Sequence, residues 1–187
     1  EQTGETLQKA AYCYQKLGDF AKALETYRKA ELYDQNKIWT LKKIALCLRS
    51  LKRPAEALEI YQLVEDLEPD NLNTHFAIGY CHTEAGQYQE ALKHFFRIEY
   101  LSPGNKKVWR PIAWCSFLTG KYDQAKKYYE MLLSDNPDKY DQMNMGHVQW
   151  ATGNRTEALN YYRQSVKTGG FSEAEFMASF DEDLQHL

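Results

Sequence analysis

Apolar residues recur at intervals of three and four through most of the 187-residue chain, in stretches separated by short polar turns. This spacing places apolar side chains on one face of a helix. The stretch "NTHFAIGYCHTEA" keeps it up to Gly86, a residue type suited to the left-handed turn after a helix, and "YQEALKHFFRIEYL" keeps it until Pro103. The pattern predicts pairs of helices joined by tight turns.

The helix pair recurs with a period of 34 residues. Four series keep this period, and they are the cysteines Cys13, Cys47, Cys81 and Cys115, the alanines Ala23, Ala57, Ala91 and Ala125, the aromatic residues Tyr27, Tyr61, Phe95 and Tyr129, and the turn residues Gly18, Lys52, Gly86 and Gly120. Lys52 stands in for the missing glycine. A fifth unit continues one residue early, with Gly146, Gly153, Ala158 and Tyr162. Such a period is typical of an α-solenoid, whereas disulfide frameworks and metal sites do not require it.

The third unit, "HFAIGYCHTEAGQYQEALKHFFRIEYLSP", resembles the tetratricopeptide repeat. That family has a small residue on the first helix, Gly at the turn, Ala and an aromatic residue on the second helix, and Pro between units. The matching residues here are Gly79, Gly86, Ala91, Phe95 and Pro103. The resemblance covers residues 4–168 and implies an all-α fold, a right-handed α-solenoid of helix–turn–helix repeats. The repeats it implies are 4–37, 38–71, 72–105, 106–138 and 139–168.

The end of the chain predicts one further helix. After Gly169 and Gly170, Ser172 and Glu175 have the spacing of a capping box. Apolar residues then recur at helical intervals as Phe176, Phe180, Leu184 and Leu187. Because a terminal repeat needs a cap with one apolar and one polar face, we expect residues 171–187 to form a capping helix on the fifth repeat. The helical pattern runs to the last residue, so we expect this helix to be truncated.

The cysteines occupy a place where the resemblance implies close contact between helices. A free cysteine behaves as a small apolar residue and suits such a place. Packed helices lie about 8–10 Å apart, whereas a disulfide needs Cα atoms within about 4.4–6.8 Å. We therefore expect reduced thiols, which are typical of the cytoplasm.

The composition limits the classes of partner. The net charge of −3 and isoelectric point near 6.0 give no general attraction to nucleic acid or to anionic membranes. No apolar run is long enough to predict a transmembrane helix, and the start of the chain lacks the features of a signal peptide. That start also lacks Met, so we expect a processed form or a piece of a longer protein. The oligomeric state stays open.

No motif predicts catalysis. Gly120 and Lys121 lack the flanking residues of a phosphate-binding loop, since Cys115 and Tyr122 stand where Gly and Ser or Thr are needed. The histidines show no paired spacing typical of metal ligands, and they are His75, His82, His94, His147 and His186. The sequence therefore predicts no enzyme, no metal and no cofactor.

The resemblance also implies a binding surface on the first helices. In the family, the second, fifth, ninth and twelfth places of each repeat point into a concave groove. The residues carried over to those places are Tyr12; Trp39, Lys42, Leu46 and Arg49; Asn73, Phe76, Tyr80 and Thr83; Lys107, Arg110, Trp114 and Phe117; and Tyr140, Met143, His147 and Trp150. With Lys43 nearby, this set is rich in aromatic residues and cations and contains no carboxylate. Tyr, Trp and Arg commonly anchor interfaces, although rings on a first helix can also pack against the next repeat.

These residues predict a non-catalytic scaffold that binds a peptide or helix of a partner protein in the groove. One alternative is a regulatory or substrate-docking domain of a larger enzyme or complex. Another is binding of single-stranded nucleic acid, which the acidic balance disfavours. Gln8 and Tyr12 replace the paired Lys and Asn with which some relatives grip a C-terminal carboxylate, so a chaperone-tail ligand is not implied. Pro111 predicts that its helix begins late or is kinked.

Overall fold

The computed structural model describes residues 3–34, 37–167 and 170–187, and every regular element among them is helical. The elements are α1 (Gly4–Lys16), α2 (Phe20–Glu31), α3 (Lys37–Ser50), α4 (Pro54–Leu67), α5 (Leu72–Glu84), α6 (Tyr88–Leu101), the 3₁₀-helix η1 (Lys106–Val108), α7 (Trp109–Leu118), α8 (Tyr122–Asp135), α9 (Lys139–Ala151), α10 (Arg155–Lys167), α11 (Glu173–Asp183) and η2 (Leu184–His186). Three positions named in the sequence predictions lie outside the described residues. They are Gln35, which replaces the proline of the first repeat; the last residue of the fifth predicted repeat; and Gly169.

The helices form two compact units. Unit 1 comprises residues 1–101 with α1 to α6, and unit 2 comprises residues 102–187 with the remaining helices. Within each unit, a helix packs mainly on its neighbours in sequence, first its hairpin partner and then the next hairpin. The prediction of an all-α fold made of helix–turn–helix repeats is therefore confirmed.

The turn between the two helices of a hairpin requires a left-handed backbone. The turn glycines have φ angles between 72° and 84°, and they are Gly18, Gly86, Gly120 and Gly153. Lys52 holds the same conformation with a φ of 60°. A side chain in this region costs about 1–2 kcal/mol. The predicted role of Lys52 as a stand-in for glycine is confirmed.

The small residue on the first helix lets the aromatic ring of the second helix approach its backbone. In the α9–α10 hairpin, a Cβ added to Gly146 would lie 2.3 Å from Cε1 of Tyr162. The rings at the corresponding place in other hairpins, Tyr27 and Tyr129, are fully buried. This close approach gives each hairpin its core.

Pro111 lies in the first turn of α7. The chain enters that helix through η1, and α7 begins only at Trp109. Because a backbone N–H in the first turn has no partner within the helix, proline is tolerated there. The late start predicted from Pro111 is confirmed.

The cysteines differ in burial. Cys47, Cys81 and Cys115 are buried, whereas Cys13 is exposed. All four lie in described parts of the chain, and none is in a disulfide. The expectation of a packed helix contact is therefore wrong for Cys13, because α1 packs chiefly on α2 and its other side is open.

The terminal segment folds back onto unit 2. The capping box predicted from Ser172 and Glu175 is confirmed, with both reciprocal hydrogen bonds present. Phe176 and Phe180 pack edge-on against Tyr162, with ring centroids 5.9 Å and 5.2 Å away. No helix among the described residues is long and apolar enough to cross a membrane.

Candidate functional site

The first helices of unit 1 carry an exposed aromatic surface. Tyr12 of α1, Trp39 of α3 and Tyr80 of α5 keep 41%, 44% and 36% of their area accessible. Of the other predicted groove residues of this unit, Asn73 is exposed, and Lys42, Leu46, Arg49, Phe76 and Thr83 are half-buried. The predicted places in unit 1 therefore lie at or near the surface.

Lys43 links two of these rings. Its Nζ lies 5.6 Å from the centroid of Tyr12 and 5.3 Å from that of Trp39. Lys16 approaches Tyr12 as well, at 5.3 Å. A cation this close to an aromatic face is attracted by the ring quadrupole. These contacts link the aromatic rings of α1 and α3.

Trp39 lines two cavities of side-chain size. One, of about 310 Å³, is lined by Tyr12, Trp39, Glu5, Gln8 and Lys9. The other, of about 280 Å³, is lined by Trp39, Leu46, Asn73 and Tyr61 among others.

Glu5, Gln8 and Lys9 line the cavity beside Tyr12 but are not among the predicted groove residues. Gln8 and Glu5 precede Tyr12 by four and seven residues, so helical spacing alone puts them on the face of Tyr12. Glu5 therefore adds a carboxylate to a surface whose predicted residues include none.

Two predicted groove cations of unit 1 pair with carboxylates of this chain, one within its own repeat and one in the next repeat. Lys42 of α3 is paired with Glu68, the C-cap residue of α4. Arg49 lies 2.8 Å from Glu84 and 5.2 Å from the ring centroid of Tyr80. Since each cation already faces a carboxylate, the surface is less basic than its sequence predicts.

In unit 2, Arg110 of α7 pairs with the buried carboxylate of Asp141. Its Nε and Nη2 donate to Oδ1 and Oδ2 of Asp141 at 2.8 Å and 2.7 Å, and Asp138 lies 3.1 Å away. The hydrogen bonds that Arg110 donates to Asp141 raise the pKa of Arg110. Asp141 also accepts from the backbone N–H of Asp138 and so closes the capping box of α9. Arg110 therefore stabilises the contact between two repeats.

Three predicted groove residues of unit 2 are buried, namely Phe117, Met143 and His147. The ring of His147 lies 5.4 Å from that of Phe180 and 6.2 Å from that of Phe117. Its Nε2 is 3.3 Å from Oδ2 of Asp183. The expectation that these three side chains face a partner is wrong. Phe176 and Phe180 of α11 pack on the cluster that contains Met143, and Phe180 lies against His147. Phe117 packs instead against Tyr122 and His147.

The remaining predicted residues of unit 2 are only partly covered. Trp114 is half-buried, with His186 edge-on at 5.9 Å, and Tyr140 contacts Phe171 at 5.0 Å. Lys107 is exposed, and Trp150 is exposed beneath Arg155. The chain's own C-terminal segment thus contacts several places at which a ligand was predicted.

Models of the tetratricopeptide repeat match the sequence in three places. One matches residues 4–37 and 142–168, and another matches residues 112–139. These segments include the first hairpin of unit 1 and most of unit 2. The chain therefore contains tetratricopeptide repeats.

Solved structures with the same fold are distant in sequence. The crystal structure of a MamA protein has a TM-score of 0.78 at 20% identity, with 88% of this chain and 90% of that chain covered. YrrB, described as a TPR protein with an unusual peptide-binding site, has a TM-score of 0.79 at 15% identity and coverages of 94% and 91%. A tetratricopeptide repeat protein from Parabacteroides merdae has a TM-score of 0.75 at 17% identity, covering 96% and 73%. No curated protein matches the sequence significantly.

Proposed function

We propose that this protein is a non-catalytic interaction module that binds a peptide or short helix of a partner protein on the first-helix surface of unit 1. The supporting observation is the exposed indole of Trp39, which lines two cavities of side-chain size. Partially exposed aromatic side chains beside small cavities are typical anchors of protein interfaces. The description of YrrB as peptide-binding is in keeping with this assignment.

The ligand is bound mainly by apolar contact. Both cavities are lined by rings and aliphatic stems, while Lys42 and Arg49 are engaged by carboxylates of this chain. A ligand with two suitably spaced apolar side chains would fill both cavities. Lys43 lies between the rings of Tyr12 and Trp39, where it can orient a carboxylate of the ligand.

The same contacts favour a protein ligand over single-stranded nucleic acid. Nucleic-acid binding of that type combines stacking with several cations that neutralise phosphates, and its affinity falls steeply with salt. In unit 1, Glu68 and Glu84 already neutralise two of the predicted cations. A docking domain of a larger enzyme would use the same surface. This alternative therefore proposes a different partner for the same site.

The proposal can be tested with peptides selected from a random peptide library displayed on phage. We expect the wild-type chain to select peptides with two apolar side chains in register. Trp39→Ala should weaken a selected peptide by at least about tenfold, because the loss of an anchoring Trp typically costs 2 kcal/mol or more. Fluorescence anisotropy of the labelled peptide measures both affinities.

Tyr100→Ala is the matched control. Tyr100 is more exposed than Trp39 but lies on α6, a second helix. The control should bind as the wild type does. Equal binding by the wild type and a folded Trp39→Ala variant, or failure of the library to yield a binding peptide, would contradict the proposal.

A further inference from the structure

Three side chains that can bind a metal lie close together in unit 1, although they are far apart in the sequence. Glu65 lies on α4, His75 on α5 and His94 on α6. Nδ1 of His75 is 3.2 Å from Nδ1 of His94 and 3.3 Å from Oε1 of Glu65. Nδ1 of His94 is 3.6 Å from the same Oε1. Three atoms, one from each residue, therefore form a nearly regular triangle.

The size of this triangle fits a tetrahedral ion. With bonds of about 2.0–2.2 Å to nitrogen and oxygen, the ligand atoms of tetrahedral zinc are roughly 3.3–3.6 Å apart. The observed separations match three edges of such a tetrahedron to within about 0.1 Å. An ion on one side of the triangle would reach all three atoms and leave one coordination position open.

Neighbouring groups orient two of the ligands. Nε2 of His75 lies 2.8 Å from the carbonyl oxygen of Pro69, so it carries the proton and leaves the lone pair on Nδ1. Nε2 of Gln62 donates to Oε2 of Glu65 at 2.9 Å, which leaves Oε1 facing the histidines. A carbonyl behind a histidine and a hydrogen bond to a carboxylate are the usual outer contacts of metal ligands.

The three side chains are largely withdrawn from solvent. His75 is buried, and Glu65 and His94 are half-buried beside a cavity of about 560 Å³. Burial lowers the pKa of His94. Lys93 and Arg97 also line the cavity, but each has a carboxylate of this chain 2.7 Å away, Glu90 and Asp70 respectively. Their repulsion of a bound cation is thereby reduced.

We propose that Nδ1 of His75, Nδ1 of His94 and Oε1 of Glu65 bind a divalent transition-metal ion of the zinc class. Two imidazoles and one carboxylate are typical zinc ligands, and the open fourth position faces the cavity, where water can complete the coordination. The ion would tie α4 to the α5–α6 hairpin. It is independent of the binding surface around Trp39.

Cobalt(II) is a suitable probe, because its visible absorption reports coordination number. Full-length protein stripped with a chelator should bind one Co²⁺ per chain, with the strong ligand-field bands of four or five coordination, and Zn²⁺ should displace it. His94→Gln and Glu65→Gln should each weaken binding by about 100-fold or more. Gln62→Ala, which removes only an orienting group, should weaken it about tenfold.

His186→Gln is the matched control, since this histidine is exposed and lies in unit 2. It should bind Co²⁺ as the wild type does. Circular dichroism of the metal-free variants shows which of them fold. The cobalt absorption spectrum of the wild-type protein tests the coordination number even if a variant does not fold. The weak bands of six-coordinate Co²⁺, unchanged binding by folded His94→Gln, or an equal loss in His186→Gln would overturn the proposal and leave a hydrogen-bonded cluster only.

Discussion

The first helices of the two units carry similar side chains but present them differently. In unit 1, Tyr12 and Trp39 are exposed beside two cavities. In unit 2, His147 and Met143 are buried, and His147 contacts Phe180 of the chain's own terminal helix. The place of a residue in the repeat sets the direction of its side chain. Whether that side chain meets solvent, a partner or the same chain depends on what else folds onto the helix.

The ion pairs of the two units differ in the same way. Lys42 and Arg110 hold the fifth place of their repeats. Lys42 pairs with Glu68 of its own repeat, whereas Arg110 pairs with Asp141 of the next repeat. Glu68 keeps about a third of its side chain in solvent, whereas Asp141 is fully buried. Equal places in the repeat therefore support contacts of unequal strength.

Deletion of residues 171–187 should have the largest effect, because it removes the segment that contacts first-helix side chains in unit 2, while those of unit 1 stay as they are. The loss of buried Phe171 and half-buried Phe176 and Phe180 should lower the stability of unit 2 by about 3–5 kcal/mol, since a fully buried ring contributes roughly 1.5–3 kcal/mol and a half-buried one about half of that. Hydrogen exchange should show faster exchange in α9 and α10 with unchanged protection in α3 to α5. Unaltered protection in α9 and α10 would show that the terminal helix contributes little.

Arg110→Ala and Lys42→Ala compare the ion pairs. Arg110→Ala leaves Asp141 buried without its main partner and should cost about 3 kcal/mol. Lys42→Ala leaves Glu68 in contact with water and should cost less than about 1 kcal/mol. Urea denaturation of both variants measures the difference, and equal losses of stability would contradict the contrast in burial.

The turn residues of the two units can be compared by substitution. Lys52 of unit 1 and Gly120 of unit 2 hold the same place and the same left-handed backbone. Lys52→Gly should stabilise the protein by roughly 0.5–1 kcal/mol, since relief of strain exceeds the greater flexibility of the unfolded chain. Gly120→Ala should destabilise it by about 1 kcal/mol. Thermal melts that move in the same direction for both variants would refute this account.

The smallest effect concerns the thiols. Burial raises the pKa of Cys47 and Cys81 to about 11, above the ordinary value of 9.0. Because folding raises these pKa values, their contribution to stability is complete below pH 9 and is lost as the pH rises toward 11. At pH 8 we expect one thiol, that of Cys13, to react rapidly with a colorimetric reagent, and four to react after denaturation.

Cys13→Ser should abolish the rapid phase and leave the stability almost unchanged. A rapid phase that persists in this variant would show that one of the buried cysteines is accessible. Fewer than four reactive thiols after denaturation would indicate a disulfide.

Periodicity alone predicted the helices, the turns and the family. The 34-residue series of Ala, aromatic and turn residues repeats a local requirement, since each hairpin needs a small residue, a ring and a left-handed turn at fixed positions. The late start of α7 at Pro111 and the capping box of Ser172 are likewise local, because they depend on backbone geometry within one turn of helix. The predicted groove places of unit 1 were implied by the resemblance to the family, and their side chains lie at or near the surface.

Only the tertiary structure decided which of these surfaces is open and which polar residues meet. The sequence predicted that the terminal helix packs on the fifth repeat, but no local pattern states which side chains it meets there, such as His147 beneath Phe180. Glu65, His75 and His94 lie ten and nineteen positions apart in sequence, and they converge because α4, α5 and α6 pack side by side. Contacts of this kind depend on the packing of whole helices, whereas the sequence pattern of each helix records only the face that it buries.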